Sequence, residues 1–564
     1  MLAPFARPSR LSFALQCAVL GALLAAELPL AAQGAWFDGP RPAPMAHQAV
    51  ALLADAASHG MDPADYGSRA LQAALASATE GPLPTPAQAA RLSVALDAAV
   101  QRYLQHLHAG RVDPRQVHQR FPLPEPDRFD AAGVLRDAMA SGRLDGAVAA
   151  AVPGLPVYDG LRRALARYRE LAGNAAWAQR LPPLPRALKR GAPAGVDQGQ
   201  AWSGLELLAQ RLRLLGDLAP ATEAAEQAAP LPPPMVLPAA PRPALPAAPA
   251  YADALVDAVK AFQRRHGLAD DGVIGRGTWQ ALQVSPAQRV RQIELTLERL
   301  RWTPLLQGPR MIVINVPEFV LRAYEVQDGQ VRVQQAMKVI VGRAYGARTP
   351  LFSEPMRRIE FSPYWNVPPS IARRELVPQL RRSPGLFAAL GYEFVTGSGQ
   401  AVSTLRADLL DAVLAGNARI RQRPGSKNAL GDIKFVFPNN DAIYLHHTPS
   451  VGLFERDRRD FSHGCIRVEA PVALARFVLA RQPEWTEERI RAAMGAGSSS
   501  VLTLDEPLPV LITYGTALAV QGQVRFFDDV YGYDALLDRV LRKRRLPPLP
   551  APIAPIVPIV PIAP

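Results

Sequence analysis

The stretch MIVINVPEFVLRAYEVQDGQVRVQQAMKVIV, residues 311–341, is where the chain changes its hydrophobic period. Met311 to Val316, Phe319 to Val326 and Val331 to Val341 are rich in β-branched and aromatic residues, and Pro317-Glu318 and Asp328-Gly329 separate them. Such runs predict strands joined by tight turns. Arg357 to Phe361 continues the sheet. Ile433 to Phe437 and Ala442 to His446, with a turn at Pro438-Asn439-Asn440-Asp441, resume it, and Val501 to about Phe527 closes it. From about Pro369 to Lys427 the strand pattern breaks into helical runs carrying Arg373, Arg374, Arg381 and Arg382. Residues 289–545 are thus expected to form a mainly β domain with an inserted helical capping subdomain at about 369–427.

Upstream, residues 35–218 read as helical. Leu92, Ala95, Leu96, Ala99 and Val100 follow the i, i+3, i+4, i+7, i+8 template, and Tyr158, Leu161, Leu165 and Tyr168 form a second stripe. His106, His108 and His118 lack carboxylate or cysteine partners at ligand spacing, so solvated helix residues are expected there. Residues 219–250 are dense in proline and alanine and predict an extended spacer. The tail, residues 546–564, has the same character and is expected to be disordered. Residues 251–288 form a small unit whose first helix places Leu255, Val259 and Phe262 on one face. Its run Ala258-Val259-Lys260-Ala261-Phe262-Gln263, followed by Gly272-Val273-Ile274-Gly275 and Trp279, resembles the peptidoglycan-binding type 1 module. The resemblance implies a three-helix bundle with affinity for the glycan or its stem peptides. The fold class read from the whole chain is multidomain α+β.

At 564 residues the chain is too long for one core, and half of it is hydrophobic. Arg7 and Arg10, an apolar run from Leu11 to Leu24, and small residues near Ala31, Ala32 and Gly34 predict a cleavable export signal over residues 1–34. The apolar run is short against the roughly 20 residues that span a membrane, and no later stretch is long enough. Net charge is +13 and the sequence pI is near 10.0, which favours an anionic partner. Export argues against nucleic acid and for a carboxylate-bearing wall polymer.

Only two cysteines are present, Cys17 within the expected signal and Cys465. A single retained thiol in an exported chain has no partner for an internal disulfide. Cys465 lies in Phe461-Ser462-His463-Gly464-Cys465-Ile466-Arg467-Val468, beside one histidine and downstream of the pair His446-His447. A neighbouring imidazole is expected to lower the thiol pKa from about 8.5, and Gly464-Cys465 backbone N–H groups to converge on a developing oxyanion. Strand alternation puts Tyr444 and His446 on one face, and the loop 447–461 can fold back to bring His446 to Cys465. Zinc is the rival, with His446, His447, His463 and Cys465 as ligands. Adjacent histidines on a strand face opposite ways, which disfavours that cage. A papain-like peptidase would place its cysteine before its histidine.

Phe361-Ser362-Pro363-Tyr364-Trp365-Asn366-Val367-Pro368-Pro369-Ser370, Tyr444-Leu445-His446-His447-Thr448-Pro449 and Ser462-His463-Gly464-Cys465-Ile466-Arg467-Val468 resemble the signatures of the L,D-transpeptidase (YkuD) catalytic domain. With Asp528-Asp529-Val530-Tyr531-Gly532-Tyr533-Asp534, the layout is similar to the large YcbB-like subgroup. The resemblance implies a periplasmic enzyme that builds 3→3 cross-links in peptidoglycan without a metal or organic cofactor. It implies Cys465 as nucleophile, His446 as general acid/base, and His463 and Gly464 shaping the pocket and oxyanion site. Arg467, Trp365, Asn366 and Tyr444 become candidate substrate-binding residues, with an internal salt bridge the alternative for Arg467 and packing the alternative for Trp365 and Asn366. His447 departs from the smaller or acidic residue usual after the base. The same thioester could pass to water, to a free D-amino acid or to a lipoprotein lysine; a wall-binding scaffold with an idle thiol is the reading from another class.

Overall fold

The computed structural model describes residues 36–118, 129–186, 194–219, 250–304, 308–328 and 330–552. The expected signal, nearly all of the Pro/Ala-rich segment and residues 553–564 lie outside the described residues. The chain forms two compact units, one holding residues up to Arg111, Asp127–Gly154 and the C-terminal residues from Arg544, the other Val112–Pro126 and Leu155–Lys543. The helical stretch 35–218, expected as one scaffold, is therefore shared between both.

The first unit packs α1 (Pro44–Ala54), α2 (Ser68–Glu80), α3 (Pro86–Ala109), α4 (Ala131–Ser141) and α5 (Leu144–Ala151). Thr85 and Gln88 form a reciprocal capping box that starts α3, with Pro86 in its first turn. The stripe Leu92, Leu96, Val100, Leu104 then faces the core, almost fully buried. Two histidines expected in solvent are packed instead: His106 Nδ1 meets the Tyr66 hydroxyl at 3.1 Å, and His108 stacks on Phe129 at 4.1 Å. The start of the tail is also ordered. Arg102 donates to the Pro547 carbonyl at 2.7 Å, Arg544 pairs with Asp65, and Leu549 lies against the unit's core.

The second unit contains α6 (Pro156–Ala172), α7 (Leu205–Leu215), α8 (Ala254–Arg265), α9 (Arg276–Gln283) and α10 (Pro286–Trp302). His118 belongs to it and is buried, not solvated. The small unit at 251–288 does not close its own core. Val259, Phe262, Ile274 and Leu282 share one cluster with Leu181, Val196, Trp202, Leu208 and Leu212 from before the Pro/Ala-rich segment. Backbone bonds seal the join: Tyr251 N–H donates to Gln200 O at 2.9 Å and Ile274 N–H to Val196 O at 3.1 Å. Both ends of the segment 219–250 thus enter the same core, where a spacer between separate domains was expected.

The mainly β region has strands β1 (Arg310–Asn315), β2 (Val320–Gln327), β3 (Gln330–Gly342), β4 (Phe352–Phe361), β5 (Trp365–Asn366), β6 (Tyr392–Thr396), β7 (Ala401–Val402), β8 (Ala418–Gln422), β9 (Ile433–Val436), β10 (Leu445–His446), β11 (Asp460–Ser462), β12 (Ile466–Val468) and β13 (Ser500–Thr513). A hairpin follows, β14 (Ala517–Val520) and β15 (Gln523–Phe526). The main sheet has nine strands in the order β11-β3-β12-β10-β9-β4-β13-β1-β2, and β3 also pairs with β2, so the ladder runs back into itself. Its inner face buries Ile314, Val339, Ile359, Phe435, Leu445, Ile466 and Ile512. The strand expected at Ala442 to His446 shortens to two residues. Asn439 explains this: its amide donates to Phe437 O and Ile443 O, and its oxygen accepts from Asp441 and Ile443, holding the segment as a loop.

The insertion is not purely helical. It builds a four-stranded sheet of its own, β5-β8-β6-β7, around a separate core of Leu376, Leu380, Phe387, Phe394 and Ile420. Buried Asn428 ties its two ends together, donating to Pro363 O at 3.0 Å on entry and to Gln422 O and Arg423 O at 3.4 and 3.0 Å on exit. Asn428→Ala leaves those carbonyls without their donor, at a cost of about 1–3 kcal/mol. Hydrogen exchange should then speed up in β5 and β8 while β1 and β13 keep their protection. Equal protection in the variant and the parent would remove the staple from the account.

Candidate active site

β10 and β12 run parallel, with Leu445 opposite Ile466 and His446 opposite Arg467. Leu445 and Ile466 point into the core. Alternation then sends Tyr444, His446, Cys465 and Arg467 to the other face of the sheet. On that face Arg467 also registers with Ile340, His446 with Lys434, and Lys434 with Glu360. Cys465 lies one step diagonal from His446, roughly 8 Å between Cα atoms from the strand spacing and rise.

The ring orientation of His446 follows from one contact. Its Nδ1 sits 2.5 Å from the His447 carbonyl oxygen. A carbonyl only accepts, so Nδ1 carries the proton and Nε2 is left as the acceptor. Burial, with the Arg467 guanidinium beside it, pushes the imidazole down to about 3, against the pull of the His447 and Leu430 carbonyls. Burial pushes the Cys465 thiol up, partly offset by the Tyr444 backbone and hydroxyl donors and by the charges of Lys434 and Arg467. The thiol reaches the Ala442 carbonyl at 3.6 Å. The sequence leads one to expect a thiol lowered by imidazole; the structure has a neutral thiol beside a neutral base.

That pairing fixes a pH response. With His446 uncharged at pH 7, nothing on the ring stabilises the thiolate, so the reactive fraction grows with pH until the raised thiol pKa is reached. Iodoacetamide labelling of Cys465 should accelerate about tenfold per pH unit between pH 7 and 8.5. A rate that is already flat below pH 7 would mean a preformed thiolate–imidazolium pair and contradict the electrostatics.

The turn carrying Cys465 is held from several sides. Ser462 Oγ donates to the Cys465 carbonyl at 2.5 Å and accepts from Gly464 N–H at 3.1 Å. Thr349 Oγ1 donates to the Gly464 carbonyl at 2.7 Å. Gly464 has φ of 122°, a left-handed conformation that a side chain would strain, and an added Cβ would come 3.2 Å from Ile443. Its N–H is thus committed to Ser462. Among the described residues the Cys465 N–H has no hydrogen-bond partner, which makes it the donor this turn can offer an oxyanion.

The remaining candidates separate. Tyr444 lies across from Cys465, its ring 4.4 Å from Lys434 Nζ. Arg467 makes no ion pair with any described residue, and its buried Nε has no partner. His463 turns outward, Nε2 to Glu375 Oε1 of the cap at 2.8 Å, with Arg343 at 3.7 Å from the same oxygen. Trp365 and Asn366 belong to the cap sheet, where Asn366 registers with Arg421 and the Trp365 ring lies 6.5 Å from that of Tyr392. His447 binds Asp432 at 2.5 Å and packs over Gly431. The three histidines thus face three different partners, and among the described residues no group of three or more His, Cys, Asp or Glu could hold a metal ion.

Lys434, Asp432, Glu375 and Thr349 are the residues that sequence reasoning missed. Lys434 had a signal, since Ile433 and Phe435 point inward and leave it on the outer face. Which strand lay beside it was not readable. Glu375 sits in a π-helical turn, Ala372–Leu376, an irregularity that clusters at functional sites.

Residues 309–496, which hold this whole constellation, match the model of the L,D-transpeptidase catalytic domain (YkuD). Residues 31–165 match a scaffold domain, and residues 245–282 match the "Putative peptidoglycan binding domain". The chain is 30% identical over 272 residues to a protein of Haemophilus influenzae named "Putative L,D-transpeptidase", covering 47% of this chain and 54% of that one. The chain thus spans about half the length of this curated relative. It is also 24% identical over 108 residues to epoxide hydrolase 1 of Sus scrofa, 19% of this chain and 24% of that protein.

Proposed function

We propose that the protein is an L,D-transpeptidase that joins peptidoglycan stems by 3→3 cross-links through a thioester on Cys465. The observation that carries this reading is the shared sheet face of Cys465 and His446, with the His446 Nδ1 proton held on the His447 carbonyl. The sulfur attacks the carbonyl of the L-centre of meso-diaminopimelate in a donor tetrapeptide as its proton passes to His446 Nε2. Collapse of the tetrahedral intermediate expels D-alanine, whose nitrogen takes that proton back. The side-chain amine of a second stem then gives a proton to His446, attacks the thioester and releases the thiolate, which is reprotonated. The Cys465 N–H stabilises the oxyanion in each half. Arg467, a half-buried cation with no ion-pair partner on this face, binds a stem carboxylate.

The match to a peptidoglycan-binding domain at residues 245–282 agrees with a wall polymer as substrate. No helix among the described residues is long and apolar enough to cross a membrane. We place the protein in the periplasm after removal of the signal, in the YcbB-like subgroup, acting in wall organisation and cell shape. Incubation with disaccharide-tetrapeptide tests the acceptor: dimer supports the reading, whereas tripeptide alone would make the protein an L,D-carboxypeptidase.

Glu375 is assigned a positioning role through His463, holding the cap against the catalytic turn. Both side chains are partly exposed, so the bond itself is weak. Glu375→Ala should raise KM about 3–10-fold with kcat nearly kept, as expected when only substrate enclosure is loosened. Glu375→Gln, which can still accept from His463, should recover most of it. An equal fall of kcat in both variants would instead place Glu375 in the chemical step.

A further inference from the structure

A cleft of about 340 Å³ opens within the second unit, lined by none of the residues around Cys465. One wall is a face of α6 carrying Gly160, Arg163 and Arg167; the other is the β14–β15 hairpin with Gln523. The walls are fixed by packing. A Cβ on Gly160 would lie 2.5 Å from that of Ala519, so the hairpin touches the helix directly. The hairpin is clamped from behind by Phe526, whose ring meets Tyr168 at 5.2 Å and lies 4.5 Å from the Arg289 guanidinium.

The charges in the cleft do not cancel. Asp217 and Arg265 also line it, but they neutralise each other: Arg265 Nε donates to Asp217 Oδ1 at 2.7 Å, and both side chains are under one-tenth exposed. Among the described residues Arg167 donates once, to the Leu214 carbonyl at 3.0 Å, and pairs with no acid. Arg163 makes no hydrogen bond or ion pair with any described residue. Two guanidinium forks, one turn apart on α6, therefore flank a cavity in which the only carboxylate among the described lining residues is already taken. Such forks match the paired oxygens of a carboxylate or phosphate. The volume is at the small end of ligand pockets, suited to one sugar ring or a dipeptide.

We propose that this cleft is a second, non-catalytic site that binds an oxyanion carried on a sugar-sized body, with Arg163 and Arg167 as its ligands. The floor includes Arg265, the last residue of α8 in the segment that matches the peptidoglycan-binding domain. An acidic sugar of the wall polymer is accordingly the ligand; this choice of source rests on the function proposed above. N-acetylmuramic acid carries the required carboxylate on its lactyl group wherever no stem peptide is attached, and N-acetylglucosamine is the same sugar without the lactyl group.

Calorimetric titration of the full chain with these two sugars and with inorganic phosphate tests the site. The acidic sugar should bind at least tenfold more tightly than the neutral one, and more weakly as salt is raised. Arg163→Gln should weaken it at least tenfold with an unchanged melting temperature, because that side chain holds nothing in the fold. Arg167→Lys, which keeps the charge and loses the fork, should weaken it less. Phosphate binding more tightly than the acidic sugar would keep the anion site and assign its source to phosphate. Equal affinity for both sugars, binding of none of the probes, or binding indifferent to Arg163→Gln overturns the proposal. A Cys465→Ala chain should bind as the parent does, so loss of cross-linking and loss of this site are separately visible.

Discussion

Cys465→Ala is expected to lower cross-link formation by about 10⁴-fold or more, to the level of no enzyme, because it removes the group proposed to hold the acyl intermediate. Removing the nucleophile deletes the bond on which both half-reactions depend. His446→Ala should cost less, roughly 10²–10⁴-fold, since solvent base at high pH can replace a proton acceptor but not a covalent carrier. The two variants therefore differ in how they respond to pH. The His446→Ala enzyme should regain activity as pH rises toward the raised thiol pKa, whereas Cys465→Ala stays silent throughout. Turnover of disaccharide-tetrapeptide, followed as dimer by mass spectrometry from pH 6 to 10, separates them. A Cys465→Ala chain that makes dimer at the parent rate would leave the thiol idle and the protein a wall-binding scaffold.

Deleting residues 251–284 is expected to unfold a large part of the second unit, not to detach a binding module cleanly. Val259, Phe262, Ile274 and Leu282 from that segment pack against Val196, Leu208 and Leu212 on the far side of the Pro/Ala-rich stretch. Truncating any one large core side chain costs about 2–5 kcal/mol, and a domain has only about 5–15 kcal/mol in hand. Removing four at once leaves their partners facing water. A milder probe reads the same coupling. Phe526→Ala empties the position between Tyr168, His266 and Arg289 and should cost about 3–5 kcal/mol. Thermal melts should show a large drop for Phe526→Ala and no cooperative transition of the second unit for the deletion. A deletion chain that melts at the parent temperature would mean that the segment is an appended bead. Wall binding is for this reason better probed with surface variants than with the deletion.

Much of this was legible in the chain, for physical reasons that differ by element. Runs rich in β-branched and aromatic residues in 311–341 announce strands because such side chains fit a pleated, half-buried surface, and β1, β2 and β3 follow them closely. The outward face of Tyr444 and His446 was readable from the alternation that the pleat imposes. What was not readable is adjacency. No local pattern says that β10 lies parallel to β12, that Lys434 registers with His446, or that Glu375 reaches across to His463. The thiol's electrostatics also escaped, since a histidine near in sequence suggests an ion pair while burial decides the charge. Proline content in 219–250 identified a segment unable to form a core, yet could not tell that Leu212 before it and Tyr251 after it enter the same one.

The most direct test of the account is the mass of the intact full chain quenched in acid during turnover of disaccharide-tetrapeptide. The account predicts a transient adduct equal to the donor minus D-alanine, located on the peptide containing Cys465 and discharged by added amine acceptor. Cross-linked product formed with no adduct on that peptide, or with the adduct on another residue, would contradict it.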